Sequence, residues 1–173
     1  MGSTCRRCAG AARVYSIEYG GIVGLAREVA AENGYGDRIQ FIRGLSTRID
    51  IPEKVDVIVS DQIGRIGFEA GVIDYFQDAR RRFLKPGGKL IPGEIRFCLA
   101  PVEAPENWND TRFWESSPAG FRFRAASGIA GNTGYPVTFA PDQILAVPAI
   151  GATVDLYTVG PGTILTTASF EIQ

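Results

Sequence analysis

The run Val55-Asp56-Val57-Ile58-Val59-Ser60 constrains the fold more than any other stretch of the chain. It is apolar nearly throughout, whereas a strand with one wet face alternates apolar and polar residues. Such a run predicts a strand covered on both sides. The neighbouring segments supply the covers. Arg13-Val14-Tyr15-Ser16-Ile17-Glu18 reads as a short strand, and Ile22, Leu25, Ala26, Val29 and Ala30 then recur at helical spacing up to Asn33-Gly34. Ile39-Gln40-Phe41-Ile42 predicts another strand, closed by Arg43-Gly44. A second amphipathic helix carries Val72, Ile73, Phe76, Ala79, Phe83 and Leu84 on one side. Lys85-Pro86-Gly87-Gly88 breaks it, and Lys89-Leu90-Ile91 begins the next strand. Strands alternating with helices predict an α/β fold whose parallel sheet has crossover connections.

From about Gly93 the helical period disappears. Glu94 to Val102, Phe121 to Arg124, Val137 to Phe139, Ala152 to Thr158 and Thr163 to Ile172 are rich in β-branched and aromatic residues, punctuated by Gly and Pro. These segments predict antiparallel strands of a sandwich or barrel. The change near Pro92 divides the chain into an expected α/β region, 1–92, and an expected β region, 93–173.

Composition then removes several kinds of chemistry. The chain has no histidine, so Ser-His and Cys-His nucleophile pairs and the commonest zinc ligand are excluded. Cys5 and Cys8 form a CxxC, but no second pair or histidine completes a four-ligand set, so no metal site is expected. With Cys98 they read as ordinary thiols of a reducing compartment. A net charge of −1 gathers neither nucleic acid nor an anionic membrane. No apolar stretch approaches the roughly 20 residues of a membrane span. The first residues, Met1 to Cys8, lack the apolar core of a secretory signal, so a cytoplasmic protein is expected.

Parallel sheets bind ligands beyond the carboxyl ends of their strands. Glu18 stands at such an end, with Gly20 and Gly21 leaving room for a ligand to approach. Its two oxygens match the two neighbouring hydroxyls of a ribose. An acid favoured by a helix dipole would occupy the same position. Asp61 follows the strong strand, and Glu69 comes shortly after, beyond Gly64 and Gly67. Together they suit a cationic substrate. Separately, Asp61 suits a turn and Glu69 a solvated first turn of a helix.

Taken in order, these segments resemble the protein arginine methyltransferases, a class I S-adenosylmethionine-dependent family. Ala9 to Glu18 resembles the family's second-strand segment, and Asp37-Arg38-Ile39, Gly44, Ile51-Pro52 and Val55 to Asp61 resemble the stretch leading to its substrate loop. Phe83 to Pro92 is similar to its post-helix turn and strand. Ala100-Pro101, Phe113-Trp114 and Val154 to Thr158 resemble segments of its barrel. The resemblance implies a Rossmann-like sheet followed by part of an antiparallel β-barrel. It implies S-adenosylmethionine as cofactor, with methyl transfer to a protein or small-molecule nitrogen. Glu18 matches the acid that binds the cofactor ribose, with Gly20 beside it. Ser46 matches a position whose amide meets the adenine, and Thr47 stands where the family usually has a glutamate.

Asp61 matches the first of two glutamates that hold the substrate guanidinium, and Glu69 lies one residue before the place of the second. The family's first strand, the centre of its sheet, and its glycine-rich cofactor loop are expected upstream of Ala9, where this chain has Met1 to Cys8. The second half of its barrel, with a Thr-His-Trp loop, is expected beyond Gln173. The resemblance further implies a methyl-acceptor partner; the family's dimer-forming arm is not located between Trp108 and Pro136, so a homo-oligomer stays open. A remnant that binds or oligomerises without catalysing is the alternative.

Overall fold

The computed structural model describes residues 10–64 and 71–172. They form two compact units. The first takes the chain up to Arg96 together with Thr153–Ile164, and the second is Phe97–Ala152 with the chain from Leu165.

In the first unit, β1 (Val14–Glu18) is followed by α1 (Val23–Glu32) and β2 (Ile39–Arg43). β1 and β2 are parallel, with Val14 opposite Ile39 and Glu18 opposite Arg43. β3 (Val55–Val59), α2 (Val72–Phe83) and β4 (Leu84–Ile91) repeat the pattern, again with parallel strands. The strand–helix alternation predicted from sequence is therefore present. Lys85-Pro86-Gly87-Gly88 lies inside β4, where it absorbs a register shift opposite Val55 to Val57. Gly88 makes this close passage possible. A Cβ there would sit 2.7 Å from Leu84 Cδ1 and 3.0 Å from the Asp56 carbonyl oxygen. Lys85 Nζ bonds both carboxylate oxygens of Asp56, at 2.9 and 3.0 Å, and fastens the shifted stretch to β3.

The two parallel pairs do not join. Among the described residues β1 pairs only with β2, and β3 only with β4. The apolar core divides in the same way. Val14, Ala30 and Ile39 form one cluster, with Ala11, Tyr35 and Phe41 packed against it. Val72, Phe76, Leu84, Leu90, Ile95, Val154 and Leu156 form the other. A strand in the middle of a sheet carries side chains on both faces and would link such clusters. Hydrogen bonds help to hold Thr153–Ile164 beside the second cluster. Tyr157 Oη accepts the Leu90 amide at 2.7 Å, and the Arg80 guanidinium donates to the Leu156 carbonyl at 2.9 Å.

Glu53, two residues before β3, links the two pairs at one end. Its Oε1 accepts from Arg13 Nη1 at 2.7 Å and from Tyr15 Oη at 2.9 Å. The amino ends of β1 and β3 therefore lie side by side. The Tyr15 hydroxyl, and after it the Arg13 charge, hold the Glu53 carboxyl below its usual value of 4.5. A carboxyl depressed on folding contributes stability above its unfolded value, and that stability is lost as pH falls through the folded value. Glu53→Gln should therefore melt below the unsubstituted chain at about pH 7, by the small amount typical of exposed pairs, and the gap should close as pH falls through the folded value. A gap that persists in thermal melts below that value would show that the carboxylate charge is not what acts.

In the second unit the sequence reading and the structure part company. α3 (Pro105–Arg112) and α4 (Arg124–Gly131) are helices, and α4 begins where a strand over Phe121 to Arg124 is predicted. Phe123, one of the residues that suggested a strand, instead packs edge to face with Trp114. Trp114 stands 5.2 Å from Phe113 and 5.5 Å from Phe123, centre to centre. The alanines at 125, 126 and 130 favour helix over strand. Val137 to Phe139 and Thr163 to Ile172 are not strands. Of the predicted barrel, the described residues hold β5 (Glu94–Leu99) paired with β6 (Ala149–Asp155), and an isolated antiparallel bridge between Val102 and Ile144. Among the described residues no helix is long and apolar enough to cross a membrane. Cys98 is exposed and unbridged, and Cys5 and Cys8 lie outside the described residues.

Candidate functional site

A cavity of about 1170 Å³ opens in the first unit between β1 and β3. Glu18, Gly20, Gly44, Ser46, Ser60 and Gln62 line it where β1 and β3 end and the segment after β2 turns. Three residues singled out from sequence for cofactor binding, Glu18, Gly20 and Ser46, thus line one cavity. Glu18 is half-buried, and its Oε1 accepts the Gly20 amide at 2.6 Å. This short local bond turns the carboxylate back toward the chain that follows β1. A Cβ on Gly20 would stand 3.1 Å from that oxygen, so glycine keeps the carboxylate uncrowded.

The other side of the rim is the segment after β2. The Gly44 amide donates to the Glu18 carbonyl at 3.0 Å, continuing the β1–β2 ladder by one residue. A Cβ at Gly44 would meet Ile49 Cγ2 at 2.7 Å, so this turn requires glycine there. Ser46–Arg48 then form a single 3-10 turn. Thr47 belongs to that turn but is exposed and outside the cavity lining. Asp61 is also exposed and outside the lining, although Ser60 and Gln62 on either side belong to it. Glu69 lies outside the described residues.

Known proteins resemble this chain in sequence and in fold. The chain is 29% identical to a probable protein arginine N-methyltransferase 6.2 of Oryza sativa subsp. indica over 155 residues, 87% of this chain and 39% of the relative. It is 32% identical over 167 residues to the ribosomal protein arginine N-methyltransferase rmt3 of Schizosaccharomyces pombe, 95% of this chain and 30% of that protein. Its fold matches a chain of the Trypanosoma brucei PRMT1 enzyme–prozyme heterotetrameric complex with AdoHcy. The TM-score is 0.82 at 23% identity, covering 91% of this chain and 50% of that one. The chain is protein-arginine-methyltransferase-like. It spans half or less of the length of each of these relatives. No protein-family profile matches it.

In this methyltransferase-like chain, sequence reasoning passes over Arg82. Its guanidinium donates to the Ser46 carbonyl at 3.0 Å, to the Ile49 carbonyl, and to Asp50 Oδ1 at 2.8 Å. Asp78, one turn earlier on α2, accepts from the same group at 2.9 Å. One side chain of α2 thereby fixes the 46–50 turn that forms part of the rim. The hydrogen bonds that Arg82 donates to Asp50 and Asp78 raise its pKa, so the group stays charged at any working pH. The visible signal in the sequence is the Asp78–Arg82 spacing, which places the pair on one helix face. The turn that Arg82 grips lies more than thirty residues away and follows no local rule.

Proposed function

We propose that this chain carries the cofactor-holding part of an S-adenosylmethionine-dependent protein arginine methyltransferase, with a Rossmann-like region followed by part of a β-barrel. The observation that carries this reading is the convergence of Glu18, Gly20 and Ser46 on one cavity at the carboxyl ends of parallel strands. Curated relatives named as arginine N-methyltransferases, and a matching fold in a complex with AdoHcy, support the same reading. The residues suit the nucleoside half of the cofactor. Glu18 offers a carboxylate to the ribose hydroxyls, and the Ser46 turn, fixed by Arg82, takes the adenine side together with Thr47.

Bound there, the cofactor supplies an activated methyl group on a sulfonium. Methyl transfer to an acceptor nitrogen, with loss of a proton from that nitrogen, is the chemistry it would supply. What the protein contributes is alignment of the acceptor nitrogen with that carbon. Asp61, at the end of β3, and Glu69 are the carboxylates proposed to orient a guanidinium. The test is transfer of labelled methyl from S-adenosylmethionine to short peptides, one bearing arginine and one bearing lysine at the same position. Label on the arginine peptide alone is expected. Label on the lysine peptide, or on neither while the cofactor binds, would contradict arginine methylation by this chain.

A second reading rests on a different observation. β1 and β3 each carry a strand on one side only among the described residues, and such edges invite association. A non-catalytic binding or homo-oligomerising module would use them. Light scattering at rising concentration separates the two, because a persistent monomer removes the oligomeric version.

A further inference from the structure

Among the described lysines and arginines only Arg80 and Arg82 are half-buried, and both stand on α2. Their partners differ. Arg82 donates to the carboxylates of Asp50 and Asp78. Arg80 donates to main-chain carbonyls, that of Leu156 at 2.9 Å and that of Val159 at 3.4 Å, and pairs with no carboxylate among the described residues. Withdrawing a charge from water without a counter-charge costs stability. The guanidinium also keeps N–H groups beyond those two bonds. It borders a second opening of the first unit, of about 430 Å³, together with Lys54, Lys85, Gly87, Gly88 and Tyr157. Lys54 is exposed and has no ion pair among the described residues. Lys85 pairs with Asp56. Tyr157 Oη accepts the Leu90 amide and keeps its own proton to donate.

We propose that this opening binds the dianionic phosphate group of a small molecule, held by Arg80 with Lys54 and Lys85. The three cations face one acid, Asp56, so positive charge remains in excess by two. A phosphate dianion cancels that excess, and a single carboxylate cancels half of it. The planar guanidinium meets two phosphate oxygens at once, while the lysines act as point charges. The other acids nearby are engaged and do not border the opening. Glu53 accepts from Arg13 and Tyr15, and Asp155 accepts from the Tyr157 amide and the Thr158 hydroxyl. Lys54 precedes β3 and Lys85 lies near the start of β4, where both also reach the wall of the large cavity. Glu18 and Ser46 follow the carboxyl ends of β1 and β2, at the other end of the strands. The proposal therefore does not depend on the cofactor reading.

The test is a titration of the isotope-labelled full chain, followed by amide NMR at constant ionic strength. The probes are glycerol phosphate, inorganic phosphate and acetate at about pH 8, where a phosphate monoester is a dianion. Saturable shifts are expected at the Gly87, Gly88 and Tyr157 amides, with a dissociation constant of about a millimolar, and at least about tenfold weaker binding of acetate. Tighter binding of the ester names an esterified phosphate as the ligand, and the reverse order names the free ion. Arg80→Gln should weaken phosphate binding by about tenfold, because a charge-assisted bond is lost. Arg80 also ties down Leu156 and Val159, so Lys54→Gln carries the test should that variant fail to fold. Lys54 is exposed and unpaired, and its substitution should leave circular dichroism intact and weaken binding by about threefold. Shifts that drift without saturating, equal binding of acetate, undiminished binding by Lys54→Gln, or shifts confined to the Glu18 rim would overturn the proposal.

Discussion

Phe76→Ala is expected to destabilise the first unit by about 3–5 kcal/mol, the range for deleting a buried phenylalanine. Phe76 is 3% exposed on α2 and packs in the cluster formed by Val72, Leu84, Leu90, Ile95, Val154 and Leu156. That cluster joins β3, β4 and α2 to the strand pair that brings in Thr153–Ile164. The loss is a large part of the ~5–15 kcal/mol that holds a typical domain. Val14, Ala30 and Ile39 form a separate cluster with no shared member, so the effect should stay local. Hydrogen exchange reads this directly. Amides of β3, β4 and α2 should lose protection in the variant, while those of β1 and β2 keep theirs. Equal loss in both strand pairs would mean one cooperative core, and the division of the core would be wrong. Should Phe76→Ala fail to fold, Phe76→Leu gives a milder version of the same comparison.

Glu18→Ala is expected to weaken S-adenosylhomocysteine binding by at least about tenfold, because the carboxylate proposed to bond the two ribose hydroxyls is lost and each such bond contributes about 1.5–3 kcal/mol. Asp61→Ala should change the same affinity little. Asp61 is exposed and outside the cavity lining, and its proposed role concerns the acceptor. Glu18 also caps the Gly20 amide, so Glu18→Gln is the needed control. The amide retains an acceptor for Gly20 and gives up the charge. A glutamine variant intermediate between wild type and alanine assigns the effect to the ligand, whereas equal losses for Glu18→Ala and Asp61→Ala would count against the ribose assignment.

The first half of this fold was legible because its signals are local. Val55–Val59 shows a strand in its own composition, although the covering expected on both faces is not observed because Asp56 and Val57 are exposed, and the α2 stripe shows its face by spacing. Glu18 was legible because the end of a parallel strand is a position that sequence patterns can locate. The second unit was not, because its aromatic residues satisfy each other in a stack that spans Phe113, Trp114 and Phe123. Clustered Phe and Trp look like strand whether they lie on a sheet or in a knot between helices. Arg82 and Glu53 were missed for a related reason. Each acts across more than thirty residues of chain, and neither Ser46 nor Tyr15 announces its partner.

Cofactor binding by the chain as it is decides whether the proposed site works. Calorimetric titration of the purified, folded protein with S-adenosylhomocysteine should give one saturable site in the micromolar range, about −8 kcal/mol. No heat of binding from a chain whose circular dichroism shows it folded would contradict the cofactor site, leaving resemblance in fold without the chemistry.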